Sequence, residues 1–391
     1  MSARRQRIVL IAPPWYPVPP HGYGGTELVV ALLARELRSR GHDVFVFAAQ
    51  GSPLATHTVA EAHWASALGT PQEHLRDLTY AWWVIDRIRA LSPVDTIHDH
   101  TGGAALLALA LDPPAPIVHT VHGLLDEPTR TFLASLGRKV ALTAISEAQR
   151  RAAPELRWLA TVHNAVDVDA LQVGPAPDGG APYLLSLARI CPVKGQHTAI
   201  EVSRRAGVRL VLAGKVEATP EGRAYYEHEI RPHVDGRRVI HLHNVAGAEK
   251  ARLLAGATAL VAPLHWEEPF GLYMAEAMAS GTPVIAFPRG AAPELIDDGV
   301  TGRLVESTEE MVRAVGTVAA IDRVRCASLA RARFHPRRMA DDYLGAYAVN
   351  SAPSRVAIST SGLVQRAAPP PGMRGLRRTG EATAAAGSSP N

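Results

Sequence analysis

Short apolar runs alternate along the chain with longer segments in which apolar positions recur at helical spacing. This alternation predicts βα units, with parallel sheets covered by helices on both faces. In the first half of the chain, strands are expected at residues 8–12, 44–48, 94–98, 117–121 and 140–145. Helices are expected at residues 26–40, 75–91 and 104–111, the first with Thr26 as its N-cap. Ser146 is expected to begin a further helix, because Ser146-Glu-Ala-Gln149 has the spacing of a capping box.

Residues 172–182, Gln-Val-Gly-Pro-Ala-Pro-Asp-Gly-Gly-Ala-Pro, interrupt this alternation with the composition of a linker. Beyond them, strands are expected at residues 183–187, 209–213, 239–242, 259–262 and 284–286, and helices at residues 196–206, about 271–281 and about 336–349. The pattern predicts an α/β protein in which two doubly wound, Rossmann-like domains, residues 1–171 and 183–335, face a central cleft. Helix 336–350 is expected to cross back to the first domain, and residues 351–391 to be disordered.

The composition is that of a soluble globular protein, with 47% hydrophobic and 20% charged residues among 391. The net charge of +4 says little about partners, because residues 351–391 contain five Arg and one Glu and account for all of it. The rest of the chain is close to neutral. We therefore expect no broad basic face and no nucleic-acid partner.

Two cysteines, Cys191 and Cys326, are too few for a disulfide framework or a zinc site. No apolar run reaches the length of a membrane span. The five apolar residues that follow the basic amino terminus are too few for the core of a signal peptide. These observations predict a cytoplasmic protein in a reducing compartment.

Glu276 is the only charged residue in the helix expected at about residues 271–281, whose body is Leu-Tyr-Met-Ala-Glu-Ala-Met-Ala. A helix that is apolar on nearly every face is normally buried, and a buried carboxylate needs a partner. Two hypotheses follow: Glu276 forms a structural pair with an Arg, or it accepts two hydroxyls of a bound ligand. Glu268 precedes it at the mouth of the same helix, with seven residues between the two carboxylates.

Gly24 and Gly25 stand directly before the first helix, at the end of a long loop rich in Pro and aromatic residues. Glycines at this place let backbone N–H groups approach a ligand, and a helix N-terminus favours an anion. The G-x-G-x-x-G spacing of dinucleotide sites is absent, which argues against a nicotinamide enzyme. A plain tight turn is the alternative interpretation.

Arg189 and Lys194 flank the turn between the first strand and the first helix of the second domain, where a phosphate could bind. The chain contains only four Lys against 37 Arg, so a Lys at position 194 indicates that a compact ammonium group is needed there. Lys215 also follows a strand end and carries less weight. A solvated loop cation is the alternative interpretation of Lys194.

Two pairs of histidines, His98 with His100 and His241 with His243, each place both rings on one face of a strand end. A metal site is one hypothesis for such a pair. No further ligands cluster nearby in the sequence, so hydrogen-bonded histidines at a loop or substrate edge are the other.

Several of these features occur in the order typical of one enzyme family. The segment Glu268-Pro-Phe-Gly-x4-Glu276-Ala-Met-Ala-x-Gly-Thr-Pro-Val-Ile-Ala is followed by Gly290 and Pro293-Glu294. Before it come the Gly-Gly loop, His163-Asn164-Ala-Val-Asp167 and the Arg189-x4-Lys194-Gly195 turn. Over residues 7–349, this arrangement resembles retaining glycosyltransferase family 4, the group 1 glycosyltransferases, whose fold is GT-B.

The resemblance implies transfer of a sugar from a nucleotide diphosphate donor to a small-molecule or glycan hydroxyl. Glu276 would hold the ribose hydroxyls and Glu268 would lie near the sugar hydroxyls. Arg189 and Lys194 would neutralise the departing diphosphate, and His122 would lie near the anomeric carbon. The remaining donor contacts are implied at Gly24, Gly25, Val245, Phe270, Gly271 and Leu272.

The residues themselves fit this chemistry, because preorganised cations stabilise the charge that grows on a departing diphosphate. No cofactor and no metal ion are expected. The paired carboxylates of glycoside hydrolases are a rival interpretation of Glu268 and Glu276, but their spacing suits that geometry poorly. A sugar-nucleotide 2-epimerase of GT-B architecture and a non-catalytic sugar-nucleotide-binding module remain alternative functions. Ala188, Ala165 and Asn244 stand where the family often has Gly, and the last leaves the nucleotide base open.

Overall fold

The computed structural model describes residues 4–58, 64–68, 70–174 and 182–351. Most of the expected linker, residues 175–181, and the expected disordered tail beyond Ser351 lie outside the described residues. Among the helices that the structure does describe, none is long and apolar enough to cross a membrane.

The first sheet has seven parallel strands in the order β3-β2-β1-β4-β5-β6-β7. The strands are β1 (Arg7–Ile11), β2 (Asp43–Ala48), β3 (His57–Thr58), β4 (Thr96–Asp99), β5 (Ile117–Val121), β6 (Val140–Ala144) and β7 (Trp158–Thr161). The helices between them are α1 (Gly25–Ser39), α2 (Gln72–Leu91), α3 (Ala104–Leu111), α4 (Glu127–Ser135) and α5 (Glu147–Ala152), with a 3₁₀ turn at Trp64–Ala67.

The second sheet has six parallel strands in the order β10-β9-β8-β11-β12-β13. The strands are β8 (Tyr183–Leu187), β9 (Arg209–Ala213), β10 (Val239–Leu242), β11 (Ala259–Ala262), β12 (Val284–Ala286) and β13 (Gly302–Leu304). The helices are α6 (Gln196–Ala206), α7 (Pro220–Tyr225), α8 (Gly247–Gly256), α9 (Leu272–Ala279), α10 (Ala292–Leu295), α11 (Thr308–Thr317), α12 (Arg323–Arg333) and α13 (Pro336–Ser351). Short helical turns lie at Pro192–Lys194, Tyr226–Ile230, Arg231–His233 and Val318–Ala320.

Both sheets reverse their strand order beside their first strand, between β1 and β4 and between β8 and β11. The pairing register brings Ile11 next to Asp99 in the first sheet and Leu185 next to Leu260 in the second. A crevice opens outside the carboxyl ends of parallel strands at such a reversal, and ligands bind there. The predicted α/β fold with two doubly wound sheets is confirmed.

The expected start of the first helix was wrong. Helix α1 begins at Gly25 rather than after Thr26, and Gly24, with φ of 141°, precedes it without a side-chain cap. The backbone at Gly24 is in a region that side chains disfavour, so the glycine permits an entry that Thr26 could not make as an N-cap. The Ser146 prediction is confirmed, because its hydroxyl accepts a hydrogen bond from the backbone N–H of Gln149 at 3.0 Å.

Helix α13 follows the second domain in sequence but packs on the first. Its buried residues Met339, Ala340, Tyr343 and Tyr347 belong to the apolar core that also contains α1 and β1. The Tyr347 hydroxyl lies 2.7 Å from Nδ1 of His98, in strand β4. The chain therefore passes between the two domains twice. It leaves the first domain before β8 and returns to it before α13.

Candidate functional site

A cleft of about 1010 Å³ lies where the carboxyl ends of the two sheets face each other. That volume is at the upper end for a small-molecule site. Every residue singled out for ligand contact lines it: Gly24, Gly25, His122, Arg189, Lys194, Val245, Glu268, Phe270, Gly271, Leu272 and Glu276. The structure therefore brings together residues that are up to 252 positions apart, from Gly24 to Glu276.

The amino terminus of α1 forms one edge of the cleft. A Cβ atom on Gly25 would lie 3.0 Å from Leu272 Cδ1, so this glycine lets the start of α1 lie close to Leu272 of the second domain. Glu27, buried in the first turn, places Oε2 3.0 Å from the position of a Cβ on Gly24. Burial raises the pKa of the Glu27 carboxyl to about 7, although backbone N–H groups of Glu27 and Tyr16 hydrogen bond to it.

His122 faces the cleft from the end of β5. Its Nε2 atom lies 2.8 Å from Nδ1 of His100, so only Nδ1 of His122 is left for a ligand. Burial lowers the pKa of His122 to about 3, with the nearby His119 adding to the effect. His122 is therefore a neutral hydrogen-bonding group near neutral pH and carries no charge to a bound anion.

The turn after β8 holds Lys194 in a fixed position. Gly195, with φ of 68°, follows it, and a Cβ there would lie 2.0 Å from the carbonyl oxygen of Pro263. Lys194 forms a short ion pair with Glu268, and its ammonium lies 4.6 Å from the ring centre of Trp266. Only 11% of the Lys194 side chain is exposed, so the alternative of a solvated loop cation does not apply to it.

Arg189 lies at the other end of the same turn. Its guanidinium pairs with Glu217 at 3.2 Å and keeps 42% of its side chain exposed. The side-chain amide of Gln196 donates to the Arg189 carbonyl at 2.9 Å and fixes the backbone of the turn. Arg189 can therefore turn from Glu217 to a ligand at small cost, since an exposed pair is weak.

Glu276 lies in the second turn of α9 with 6% of its side chain exposed. Its Oε1 atom is 2.6 Å from Nζ of Lys250, which reaches across from α8. The buried Glu276 carboxylate is thus paired with a Lys and not with an Arg. Both residues of the pair line the cleft and do not lie in the protein core. The second oxygen of Glu276 has no protein partner among the hydrogen bonds of the described residues, so it can accept from a ligand.

Among the Lys, Arg and Glu residues that line the cleft, two were missed at the level of sequence, and a third was given too little weight. Lys250 and Glu27 lie in polar helical turns that carry no local signal, and Lys215 lies 6.0 Å and 5.8 Å from the ring centres of Tyr16 and Tyr23. The scarcity of lysine could have indicated Lys250 and Lys215, because three of the four lysines of this Arg-rich chain line the cleft.

Three of the four histidines in these pairs are hydrogen-bonded within the protein, and His243 lines the cleft. His98 contacts Tyr347 and Thr120, and His241 contacts Tyr226 and the Gly214 carbonyl. Within the ranges that the structure describes, no group of three or more His, Cys, Asp or Glu is placed to hold a metal ion.

Comparison with known proteins identifies related sequences and folds. Residues 23–170 match the family model "Glycosyltransferase Family 4", and residues 168–327 match "Glycosyl transferases group 1". A phosphatidyl-myo-inositol mannosyltransferase of Mycobacterium tuberculosis is 30% identical over 329 residues, which cover 76% of this chain and 82% of that protein. A D-inositol 3-phosphate glycosyltransferase of Mycobacterium avium is 28% identical over 329 residues, covering 72% and 77%.

The fold is shared with a solved structure of HepE from Anabaena, determined in complex with UDP and glucose. The TM-score is 0.69 at 19% identity, and the match covers 88% of this chain and all of that one (100%). At this identity the likeness establishes the two-domain fold alone.

Proposed function

The chain belongs to the group 1 glycosyltransferases of family 4, with the GT-B fold, and we propose that it transfers a sugar from a nucleoside-diphosphate donor to a hydroxyl with retention of configuration. One observation carries the donor assignment. Four cations and two buried carboxylates of the second domain line a single cleft at the carboxyl ends of β8 and β11. HepE, which shares the fold, was solved with UDP and glucose in its structure.

The cations suit a diphosphate. Cleavage of a glycosyl–phosphate bond leaves growing negative charge on the phosphate oxygens, and preorganised positive groups lower the barrier most where charge develops. We assign Arg189 and Lys194 to that charge, together with the backbone N–H groups of Phe270–Leu272 at the amino terminus of α9. Lys194 is already held over the cleft by Glu268 and Trp266, so little reorganisation is required of it.

The carboxylates suit hydroxyls. Glu276, held by Lys250, presents one oxygen to the cleft, and we assign it to the ribose of the nucleotide. Glu268 shares its Oε2 atom between Lys194 and the hydroxyl of Tyr273, which lies 3.4 Å away, and we assign its other oxygen to the transferred sugar. We assign Val245, which also lines the cleft, to the nucleotide base.

His122 approaches from the first domain. Because it is neutral, it cannot protonate a leaving group, and we assign Nδ1 to a hydrogen bond with the donor sugar. Gly24 and Gly25 admit the donor phosphates to the start of α1. Retention without a covalent nucleophile then requires attack on the face from which the diphosphate leaves, with that diphosphate accepting the acceptor proton. No metal ion is needed in this scheme, since Arg189 and Lys194 supply the charge that a divalent ion supplies elsewhere.

The test has a binding arm and a product arm. Calorimetry with a panel of nucleoside diphosphates should reveal one that binds tightly and raises the melting temperature by mass action. NMR of the products of the matching nucleotide sugar should show a new glycoside with the donor's anomeric configuration. An epimerised donor would establish the isomerase alternative, and tight binding without turnover would establish the binding module.

A further inference from the structure

A row of three histidines leads from the interior of the first domain to the cleft. His98 lies in β4, His100 directly follows that strand, and His122 directly follows β5, the neighbouring strand. Because successive side chains alternate between the faces of a strand, His98 and His100 share one face. The centre of the His100 ring lies 4.0 Å from that of His98 and 5.1 Å from that of His122. His122 is the member of this row that lines the cleft.

His100 is fixed by its backbone and by its ring. Its backbone N–H donates to the carbonyl of Ile11 at 2.9 Å, which attaches the end of β4 to the end of β1. The side chain is buried, and its ring packs between the rings of His98 and His122. Nδ1 of His100 lies 2.8 Å from Nε2 of His122. His100 therefore meets the cleft through His122 and not through a surface of its own.

The hydrogen bond between these two rings can be made in two ways. Both imidazoles are neutral, because burial lowers the pKa of His100 well below its ordinary value and that of His122 to about 3. Two neutral imidazoles share one proton between their facing nitrogens. If His100 donates from Nδ1, the proton of His122 lies on its own Nδ1 and can be donated to a ligand. If His122 donates from Nε2, its Nδ1 atom offers a ligand only a lone pair.

The second nitrogen of His100 favours the first arrangement. Its Nε2 atom is buried and has no hydrogen-bond partner among the residues that the structure describes. If His122 were the donor, the proton of His100 would lie on this atom, as a buried N–H without an acceptor. If His100 is the donor, the atom carries only a lone pair. Among backbone groups a buried N–H without an acceptor is rarer than an under-satisfied acceptor, and we apply the same preference to the ring nitrogens.

Resting on the proposed transferase function, we infer that His100 is a positioning residue, which holds the proton of His122 on Nδ1 so that His122 donates a hydrogen bond to an oxygen of the donor sugar. His122 then recognises a lone pair of the ligand and not a hydroxyl proton. The N–H points to the ligand before binding, so no proton has to move when the donor arrives. His100 thus supports turnover without touching the substrate.

The first experiment observes the tautomer directly in the unliganded protein. Long-range ¹⁵N–¹H correlation spectra of protein labelled in its histidine rings distinguish a protonated ring nitrogen from an unprotonated one. The spectrum of His122→Gln identifies the signals of His122 by their loss. We expect the proton of His122 on Nδ1. A proton on Nε2 of His122 would overturn the inference, whether or not the protein proves to be a transferase.

Two variants of His100 separate positioning from a purely structural role. In His100→Leu the His122 ring loses its hydrogen bond, so its proton should spread over both nitrogens and kcat/KM should fall by about fivefold or more. The side-chain amide of His100→Asn can donate to Nε2 of His122, so this variant should restore most of the tautomer and of kcat/KM. A folded His100→Leu protein with the His122 proton still on Nδ1 and an unchanged kcat/KM would overturn the inference.

His42→Leu is the matched control. His42 is another buried histidine of the first domain, 7% exposed, whose Nδ1 accepts from the backbone N–H of Gln6 at 3.2 Å, and it does not line the cleft. This variant should lower Tm and leave both kcat/KM and the tautomer of His122 unchanged. A protein that shows the expected tautomer but glycosylates no acceptor with any nucleotide sugar would count against the proposed function and not against the role of His100 in orienting His122.

Discussion

The pairing of Glu276 with Lys250 allows the ribose assignment to be separated from a purely structural role. The two side chains are 2.6 Å apart, and they are 6% and 29% exposed. Glu276→Gln keeps the shape of the side chain but removes its charge. If Glu276 binds the ribose hydroxyls, the lost charge-assisted acceptors should weaken nucleoside-diphosphate binding by about 1.5–3 kcal/mol, which is about 10- to 150-fold.

Variants of the Glu276–Lys250 pair should change the stability of the unliganded protein in a different order from its nucleotide affinity. Lys250→Met leaves the Glu276 carboxylate buried without its partner, which should cost about 2 kcal/mol and lower Tm by about 4–8 °C. The double variant Lys250→Met/Glu276→Gln removes both charges, so its Tm should recover most of that loss. Its nucleotide affinity should stay low, because neither change restores the ribose acceptor.

Calorimetric affinity and unliganded Tm are therefore measured on all four proteins of the cycle. Glu201→Gln, in the exposed pair with Arg205 on α6, is the matched control and should change Tm and affinity little. A Glu276→Gln protein with lowered Tm and normal nucleotide affinity would refute the ribose assignment and leave Glu276 as a structural partner of Lys250.

Three further predictions concern other groups of the cleft. Lys194→Ala should reduce kcat by about 10²-fold or more and affect donor affinity less, because the charge that it meets grows towards the transition state; an unchanged kcat would contradict that role. Glycosyl transfer should persist in excess EDTA, and dependence of the chemical step on an added divalent ion would disprove the metal-free scheme. The pKa of Glu27 is raised by burial from 4.5 to about 7, so its contribution to stability is complete at pH below about 4.5 and is lost as the pH rises through about 7. Glu27→Gln should flatten the fall in Tm between those pH values, and an unaltered Tm profile would show that this carboxyl does not titrate there.

Much of the fold could be predicted from sequence because the strands are continuous apolar runs in two buried parallel sheets. Elements with weaker patterns escaped prediction: β3 has two residues, β7 is half-buried along its length, and helices such as α12 are largely polar. The start of α1 was placed incorrectly because Thr26 matches a capping residue by type. The backbone conformation of Gly24 makes that entry, and a Cβ there would lie 2.8 Å from Cβ of Pro20 in the loop before it.

The site was predictable to the extent that its residues lie in local motifs. Glu268, Arg189 and Lys194 stand at strand-to-helix turns, where the fold places ligands, and Glu276 lies in the second turn of the helix that follows Glu268. The apolar helix around Glu276 indicated that its carboxylate needs a partner. The sequence could not identify Lys250 as that partner, because the pairing depends on how α8 packs against α9. The contacts of Lys215 with the rings of Tyr16 and Tyr23 join loops that are far apart in the sequence, so they become visible only when those loops are assembled.

Gly195 and Gly290 explain why Lys194 and Glu268 are held in fixed positions. A Cβ on Gly290 would lie 2.2 Å from the Glu268 carbonyl oxygen and 2.3 Å from its backbone nitrogen, and one on Gly195 would meet the Pro263 carbonyl at 2.0 Å. Each glycine thus lets a second loop lie directly against the backbone that carries Glu268 or Lys194. The two loops fix the Lys194–Glu268 pair before any ligand arrives, and the proposed stabilisation of a departing diphosphate requires such a preorganised pair. The spacing between the glycines and the charges is therefore a packing requirement, and the chemistry of the cleft depends on it.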